Sequence, residues 1–374
     1  MANRAYKFRM YPNREQERLF AKTFGCCRFL YNQMLADKIR EYRKSGKMLR
    51  ITPAAYKKGY PWLKEVDSLA LANVQLQLER AYRNFIDRKE SGFPRFRTKH
   101  RSRKSYTTNV VNRNIRLEEG RLRLPKAGAV KIRVHREIPE GWELKAVTVS
   151  REPTGKYYAS LLYAYPDCEN QTAGNHTDEK YAGEADILGI DFAMQGMAVF
   201  SDGSRADYPM YYRRSQERLA REQRKLSRCQ KGSRNYDRQK QRVAVCHKKV
   251  RDQRKDFHHK LSRRIAEQYD AAAVEDIDMK AMSRSLHFGK SVMDNGFGQF
   301  REMLSYKLEE RGKQLIRIDR FYPSSKRCSV CGRVKKELRL DERIYICACG
   351  NCMDRDINAA VNIREEGRRM LKSA

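Results

Sequence analysis

The chain has 374 residues, of which 80 are Lys or Arg and 46 are Asp or Glu, a formal charge of +34, and 40% are hydrophobic. That length allows two or three domains with sizeable cores, and basic residues in excess over most of the chain imply a large polyanionic partner, most simply nucleic acid. No apolar run reaches the roughly 18 residues of a membrane-spanning helix and no apolar signal segment opens the sequence, so the ten cysteines are expected to be reduced thiols or metal ligands in a cytoplasmic protein, where the glycosylation-like triplets at Asn170 and Asn175 carry no meaning.

Residues 4 to 11 alternate, with Tyr6, Phe8 and Met10 on one side and basic residues between them, which predicts a short strand. Pro12 and Asn13 end it, and Asn13 with Gln16 has the spacing of a capping box. The helix that follows places Phe20, Phe24, Cys27, Tyr31, Met34 and Leu35 on one face and should stop near Gly46. A second helix is expected over about Asp67 to Lys89, striped by Val74, Leu78, Ala81 and Phe85. Residues 13–104 thus read as a helical lobe. Near its end, Arg95, Phe96 and Arg97 interleave charge with an aromatic ring, a mixture suited to a nucleic-acid backbone and its bases.

From Tyr106 to Tyr163 the period is two. Ile115 and Leu117 lead into a turn at Glu119-Gly120, Leu122 and Leu124 return, and Val130, Ile132 and Val134, then Val147 and Val149, repeat the pattern. Five or so antiparallel strands over 105–165 imply a small barrel. Residues 166–186 are polar and read as a linker. Ile187-Leu188-Gly189-Ile190-Asp191 is an apolar strand that delivers a carboxylate. A second strand at Met197 to Phe200 and a turn at Asp202-Gly203 complete an opening that matches an RNase H-like fold.

Residues 213–264 are densely basic, with a thin apolar stripe of Leu219, Leu226, Val243, Val250, Phe257 and Leu261, and Gly232-Ser233 divides them into two antiparallel helices. Such charge density suits a wall of phosphate contacts, with Arg213, Arg214, Arg221, Arg224, Lys225, Lys248 and Lys249 as candidates. Ala271 to Ile277 is a buried strand ending in acids. Residues 280–293 read as a mobile lid, Phe297, Phe300, Leu304 and Leu308 as a helix closing at Gly312, and Gln314 to Asp319 as a further strand.

Two kinds of metal chemistry follow. Cys328-x-x-Cys331-Gly and Cys347-x-Cys349-Gly supply two thiolate pairs for one tetrahedral Zn²⁺, with Cys352 as a fifth candidate. Asp191, Glu275 and one of Asp354 or Asp356 sit at separate strand and helix ends, from which they can converge on one sheet edge. Hard oxygen ligands of this kind suit Mg²⁺, and two such ions about 4 Å apart would activate water and stabilise a leaving phosphodiester oxygen. The sequence has no phosphate-binding loop and no His-Glu-x-x-His motif.

The run Cys328-x-x-Cys331-Gly, the second cysteine pair, and then Asp354-Arg355-Asp356-x-Asn358-Ala359-Ala360-x-Asn362-Ile363 resembles the TnpB proteins of insertion sequences, compact RNA-guided DNA nucleases related to the type V CRISPR effectors. The resemblance runs along nearly the whole chain. It implies an α/β multidomain protein with a helical lobe (13–104) inserted in a small antiparallel, wedge-like β-barrel (1–12 and 105–165). A RuvC-like nuclease domain (187–321 and 353–374) would follow, interrupted by a zinc ribbon (322–352). It implies a guide RNA and double-stranded target DNA as partners and a short DNA motif read beside the target; composition gives no membrane partner, and the sequence leaves the oligomeric state open, with a monomer favoured. The resemblance also selects Asp191, Glu275 and Asp356 as the catalytic acids for two Mg²⁺ ions, and Cys328, Cys331, Cys347 and Cys349 for a structural Zn²⁺. The chain departs from many relatives at Phe192-Ala193-Met194-Gln195, at Met353 and in its shortened second cysteine pair. A guided binder that no longer cuts, or an unguided nuclease or transposase, would be the alternatives.

Overall fold

The computed structural model describes residues 2–88, 91–165, 185–278, 289–339 and 341–373, arranged as two compact units, 1–167 and 168–374. Most of the expected linker, with Asn170 and Asn175, lies outside the described residues, as does the expected lid over 280–288. The rest of that segment begins a short helix, Gly289–Asn295, with Ser291, Asp294 and Asn295 buried.

In the first unit β1 (Ala2–Tyr11) leads into α1 (Arg14–Ser45), α2 (Pro53–Gly59) and α3 (Ser68–Asp87), followed by β2 (Lys104–Asn109), β3 (Arg116–Glu118), β4 (Arg121–Leu124), β5 (Gly128–Arg133), β6 (Glu143–Arg151) and β7 (Tyr157–Tyr165). The capping box at α1 forms in full. The Asn13 side chain accepts from Gln16 N at 2.8 Å, and the Gln16 side chain accepts from Asn13 N at 3.1 Å. Gly46 ends the helix in the left-handed conformation that glycine adopts at least cost.

The seven strands form one antiparallel sheet in the order β2-β6-β7-β1-β5-β4-β3. The expected barrel of about five strands is therefore corrected to a curled, open half-barrel with β2 and β3 at its edges. A physical reason is that helices fill the space that closure would fill: Phe20 and Phe24 of α1 pack on Tyr106 of β2, and Phe20 also meets Tyr157 of β7. The core of this unit is correspondingly shared between sheet and helices.

In the second unit β8 (Ile187–Ala193) and β9 (Met197–Phe200) form a hairpin, and α4 (Tyr211–Ser227) and α5 (Arg234–Gln268) the basic helical pair. β10 (Ala271–Glu275), α6 (Gly289–Asn295), α7 (Phe297–Glu309) and β11 (Gln314–Ile318) come next. The short strands β12 (Ile344–Ile346) and β13 (Cys352–Asp354) precede α8 (Arg355–Lys372). The main sheet runs β11-β10-β8-β9, with β10 parallel to both β8 and β11. Helices cover both faces, so its strands are apolar almost throughout, as buried parallel strands are.

Strand alternation sorts the two faces. Leu188, Ile190, Phe192, Ala272 and Val274 join Leu261, Ile265 and Ala266 of α5 and Phe297, Phe300, Leu304 and Leu308 of α7. Ile187, Ala271, Ala273, Ile316 and Ile318 face Ile363 and Met370 of α8.

Candidate metal centres

The sheet register delivers two of the carboxylates together. Ile190 of β8 is in register with Val274 of β10, so the next residues, Asp191 and Glu275, leave neighbouring parallel strands at the same level. Counting by twos from Ile187 and Ala271 puts both on the face that α8 covers. That helix lies very close. A Cβ on Gly189 would overlap the Ala360 carbonyl oxygen and approach Arg364 N to 2.7 Å, and a Cβ on Gly367 would lie 2.5 Å from that of Ala273. Four residues from Ala360 toward the N-terminus, just over one helical turn, is Asp356, about 6 Å along the axis, while Asp191 is two residues, about 6.6 Å, beyond Gly189 along its strand. Close seating of α8 on Gly189 thus carries Asp356 toward Asp191.

The electrostatics record the crowding. Burial, then the negative charges of Glu275, Asp356 and Asp354, push the Asp191 carboxyl up to about 8, with Arg355 acting in the opposite direction. Burial also raises Glu275, and a hydrogen bond donated by Ser324 Oγ partly counters that. Asp354 has a different set of partners. It is the N-cap of α8: its Oδ1 accepts from Asp356 N at 2.9 Å and Ile357 N at 3.1 Å, and its Oδ2 accepts from Arg205 at 2.8 Å. The oxygens of Asp191, Glu275 and Asp356 do not all lie within 4.8 Å of one another; ligands that share two ions about 4 Å apart span a wider space than ligands of one.

Among the described residues, Cys328, Cys331, Cys347 and Cys349 alone form a group with all ligand atoms within 4.8 Å. Cys328 and Cys349 Sγ are 3.7 Å apart, and Cys331 and Cys347 Sγ are 3.6 Å apart. Four sulfurs at zinc-ligand distance around a tetrahedral ion would be separated by about 3.8 Å, so the group fits Zn²⁺. Cys352 lies outside it, on β13 opposite Ile346. Tyr345 is fully buried against Cys328 and Cys347, forming the ribbon's small core. Burial opposes ionisation of Cys328, but donation from the Cys331 and Val330 backbone and from Asn351 outweighs it and brings the thiol down to about 6.

The basic residues differ in availability. Arg95 and Phe96 are exposed, whereas the Arg97 guanidinium lies 3.7 Å over the Tyr31 ring and donates to Gln77. On α4 and α5, Arg214, Arg221, Arg224 and Lys249 are exposed. Arg213 donates to Ser291 at 2.7 Å, Lys225 pairs with Glu222 at 3.3 Å and Lys248 with Asp252 at 2.5 Å. Sequence reasoning did not find Ser324 or Arg205, since neither lies in a spaced motif. Asn358 and Asn362 carried a usable signal, two amides four apart on one helix face.

Comparison with known proteins matches residues 168–286 to a family described as "Probable transposase" of the OrfB_IS605 type and residues 297–363 to the "Cas12f1-like, TNB domain". Residues 1–47 match a "Helix-turn-helix domain" of OrfB_IS605 type; here they are chiefly β1 and the single helix α1. A protein of Streptomyces pristinaespiralis named "Putative RNA-guided DNA endonuclease" is 35% identical over 97% of this chain and 89% of that relative. The Escherichia coli K12 protein "Putative RNA-guided DNA endonuclease InsQ" is 30% identical over 98% and 93%. Among solved structures, the Cas12f1–sgRNA–target DNA complex shares the fold, with a TM-score of 0.59 at 13% identity, covering 97% of this chain and 98% of that one.

Proposed function

The chain belongs to the TnpB family of OrfB, IS605-type insertion-sequence proteins, and from that premise we propose that it is an RNA-guided DNA endonuclease that hydrolyses phosphodiesters at a Mg²⁺-dependent, RuvC-like site. The observation that carries the reading is the convergence of Asp191, Glu275 and Asp356: neighbouring parallel strands deliver the first two at one level, the close seating of α8 brings the third, and burial first and then their mutual repulsion raise Asp191. Like charges held this close call for a cation, and these three carboxylates would hold the two Mg²⁺ ions. Bound there, the ions supply an activated water and stabilise the leaving oxygen.

The chain's own groups keep that site in shape. Ser324 orients Glu275, and the capping bonds of Asp354 fix the first turn of α8 and with it Asp356. The four cysteines would hold one structural Zn²⁺ in the ribbon. Guide and target would be gripped by their backbones, to which exposed arginines of α4 and α5 are suited, while sequence is read by base pairing.

The test is to purify the chain after expression with its flanking DNA, sequence the bound RNA, and challenge a plasmid matched to that RNA. We expect a discrete RNA and cleavage that needs Mg²⁺, a matched target and Asp191. Guided binding without cutting would make the protein a repressor, and full cutting by RNA-free protein would make it an unguided nuclease.

A further inference from the structure

Helix α8 carries two buried amides, Asn358 and Asn362, only 0% and 3% exposed and one turn apart on one face. Both reach across to the turn that opens the cysteine ribbon. Asn358 Nδ2 donates to the Arg327 carbonyl at 2.7 Å, and Asn358 Oδ1 accepts from Ser329 N at 3.0 Å. Those two backbone groups flank Cys328. Asn362 Nδ2 donates to the same Arg327 carbonyl at 2.7 Å and to the Ser324 carbonyl at 2.8 Å. Ser324 in turn donates its hydroxyl to Glu275. An unbroken path thus runs from the helix that bears Asp356, through Asn362 and Ser324, to the carboxylate at the end of β10.

We propose that Asn358 and Asn362 are positioning residues that set the separation of Glu275 from Asp356, by locking the Ser324 turn and the first cysteine knuckle onto α8. This rests on the reading that those carboxylates hold the catalytic divalent ions. The physical argument is one of rigidity. Glu275 and Asp356 belong to different elements, and a carboxylate on a side chain with free rotations is a weak ligand until an outer partner fixes it. Ser324 fixes Glu275 only as well as Ser324 itself is held, and the Asn362 amide holds it through the backbone. Buried amides that donate to backbone carbonyls in this way resist displacement, because an unpaired buried polar group costs about 1–3 kcal/mol.

The experiment titrates Mn²⁺ into zinc-loaded, full-length protein and follows the free ion by electron paramagnetic resonance. Asn362→Ala should keep one zinc per chain and a single cooperative melting transition, at a somewhat lower temperature because two carbonyls lose their donor, yet bind Mn²⁺ about 10- to 100-fold more weakly. The Mg²⁺ concentration for half-maximal cutting should rise by a similar factor. Ser324→Ala, which removes only a hydroxyl, should weaken Mn²⁺ about tenfold, and Ser324→Thr should restore it. If Asn362→Ala does not fold, the Ser324 pair decides. Unchanged Mn²⁺ affinity in folded, zinc-loaded Ser324→Ala and Asn362→Ala would overturn the inference. Glu275→Gln and Asp356→Asn separate the levels. If they abolish Mn²⁺ binding while the Ser324 and Asn362 variants bind normally, only the positioning role fails. If they too bind normally, the carboxylate site fails and this inference with it.

Discussion

Gly189 and Ala360 meet backbone to backbone: strand β8 has no room at Gly189 for even a methyl group beneath the Ala360 carbonyl. Gly189→Ala must lift α8 from the sheet, because the obstructing atoms belong to a helix backbone and cannot rotate away. We expect a loss of at least about 3 kcal/mol, at the upper end of overpacking costs or beyond, read by calorimetry on the intact protein. The second close approach offers a relief test. Gly367→Ala should destabilise, and adding Ala273→Gly should recover much of the loss, since the clash is with the Ala273 Cβ. Unaltered melting of Gly189→Ala would contradict this packing.

Asp354 and Asp356 should separate stability from cutting. Asp354→Ala removes the cap of α8 and the partner of Arg205, a loss of about 1 kcal/mol of stability with a modest fall in cleavage. Asp356→Ala leaves the cap acceptor in place and should reduce cleavage by orders of magnitude while guided DNA binding persists. Guided cleavage, guided binding and melting of the two variants check this; near-parental cutting by Asp356→Ala would refute the assignment.

Zinc content should follow sulfur geometry. Cys349→Ser is expected to lose the metal and Cys352→Ser to keep one zinc per chain, measured by elemental analysis of freshly purified protein. Chelation should also expose Tyr345, whose ring is buried between two of the four cysteines, and make it accessible to tyrosine-modifying reagents. Retention of zinc by Cys349→Ser with loss from Cys352→Ser would reverse the ligand choice.

His258 should give the second unit an acid-sensitive step. Its ring is fully buried, Nε2 lies 2.8 Å from the Asn295 carbonyl and Nδ1 has no hydrogen-bond partner. Burial chiefly, with Arg254 and His259 adding to it, lowers its pKa from 6.5 to about 4, against the pull of the Asn295 hydrogen bond. The unfolded chain therefore binds this proton first. The stabilisation is complete above pH 6.5 and is lost as pH falls toward 4, by up to about 3 kcal/mol. His258→Gln should flatten stability over that window in denaturant titrations; an equal pH slope in both proteins would refute it.

Much of this architecture could be read from local chemistry. Asn13 with Gln16, and Gly46, bounded the first helix because capping is a short-range interaction. Apolar runs ending in Asp191 and Glu275 marked strands of a buried sheet because period and composition agree there. The sheet's openness was not legible, since closure depends on whether helices from elsewhere occupy the concave face, as Phe20 and Phe24 do. Nor was the short helix at Gly289–Asn295, whose residues look polar because Asp294 caps the start of α4, accepting from Tyr212 and Arg213 N at 3.0 and 3.2 Å. The two aspartates at the head of α8 were equivalent locally, and three-dimensional context gives them different partners. Ser324 was invisible because its partner, Glu275, is 49 residues away.

The order of elements along the chain makes α8 the last of the described helices to leave the ribosome. Until it arrives, the sheet face around Gly189 and Ala273 has no cover and Asp191 and Glu275 wait without a third acid. Proteins fold from the N-terminal side as they are made, so a nascent chain, or one cut short by a premature stop, carries an unfinished carboxylate cluster. Under the proposed function, the ability to break DNA is acquired only once α8 has been made and seated on the sheet, and a product that stops before it lacks the third acid.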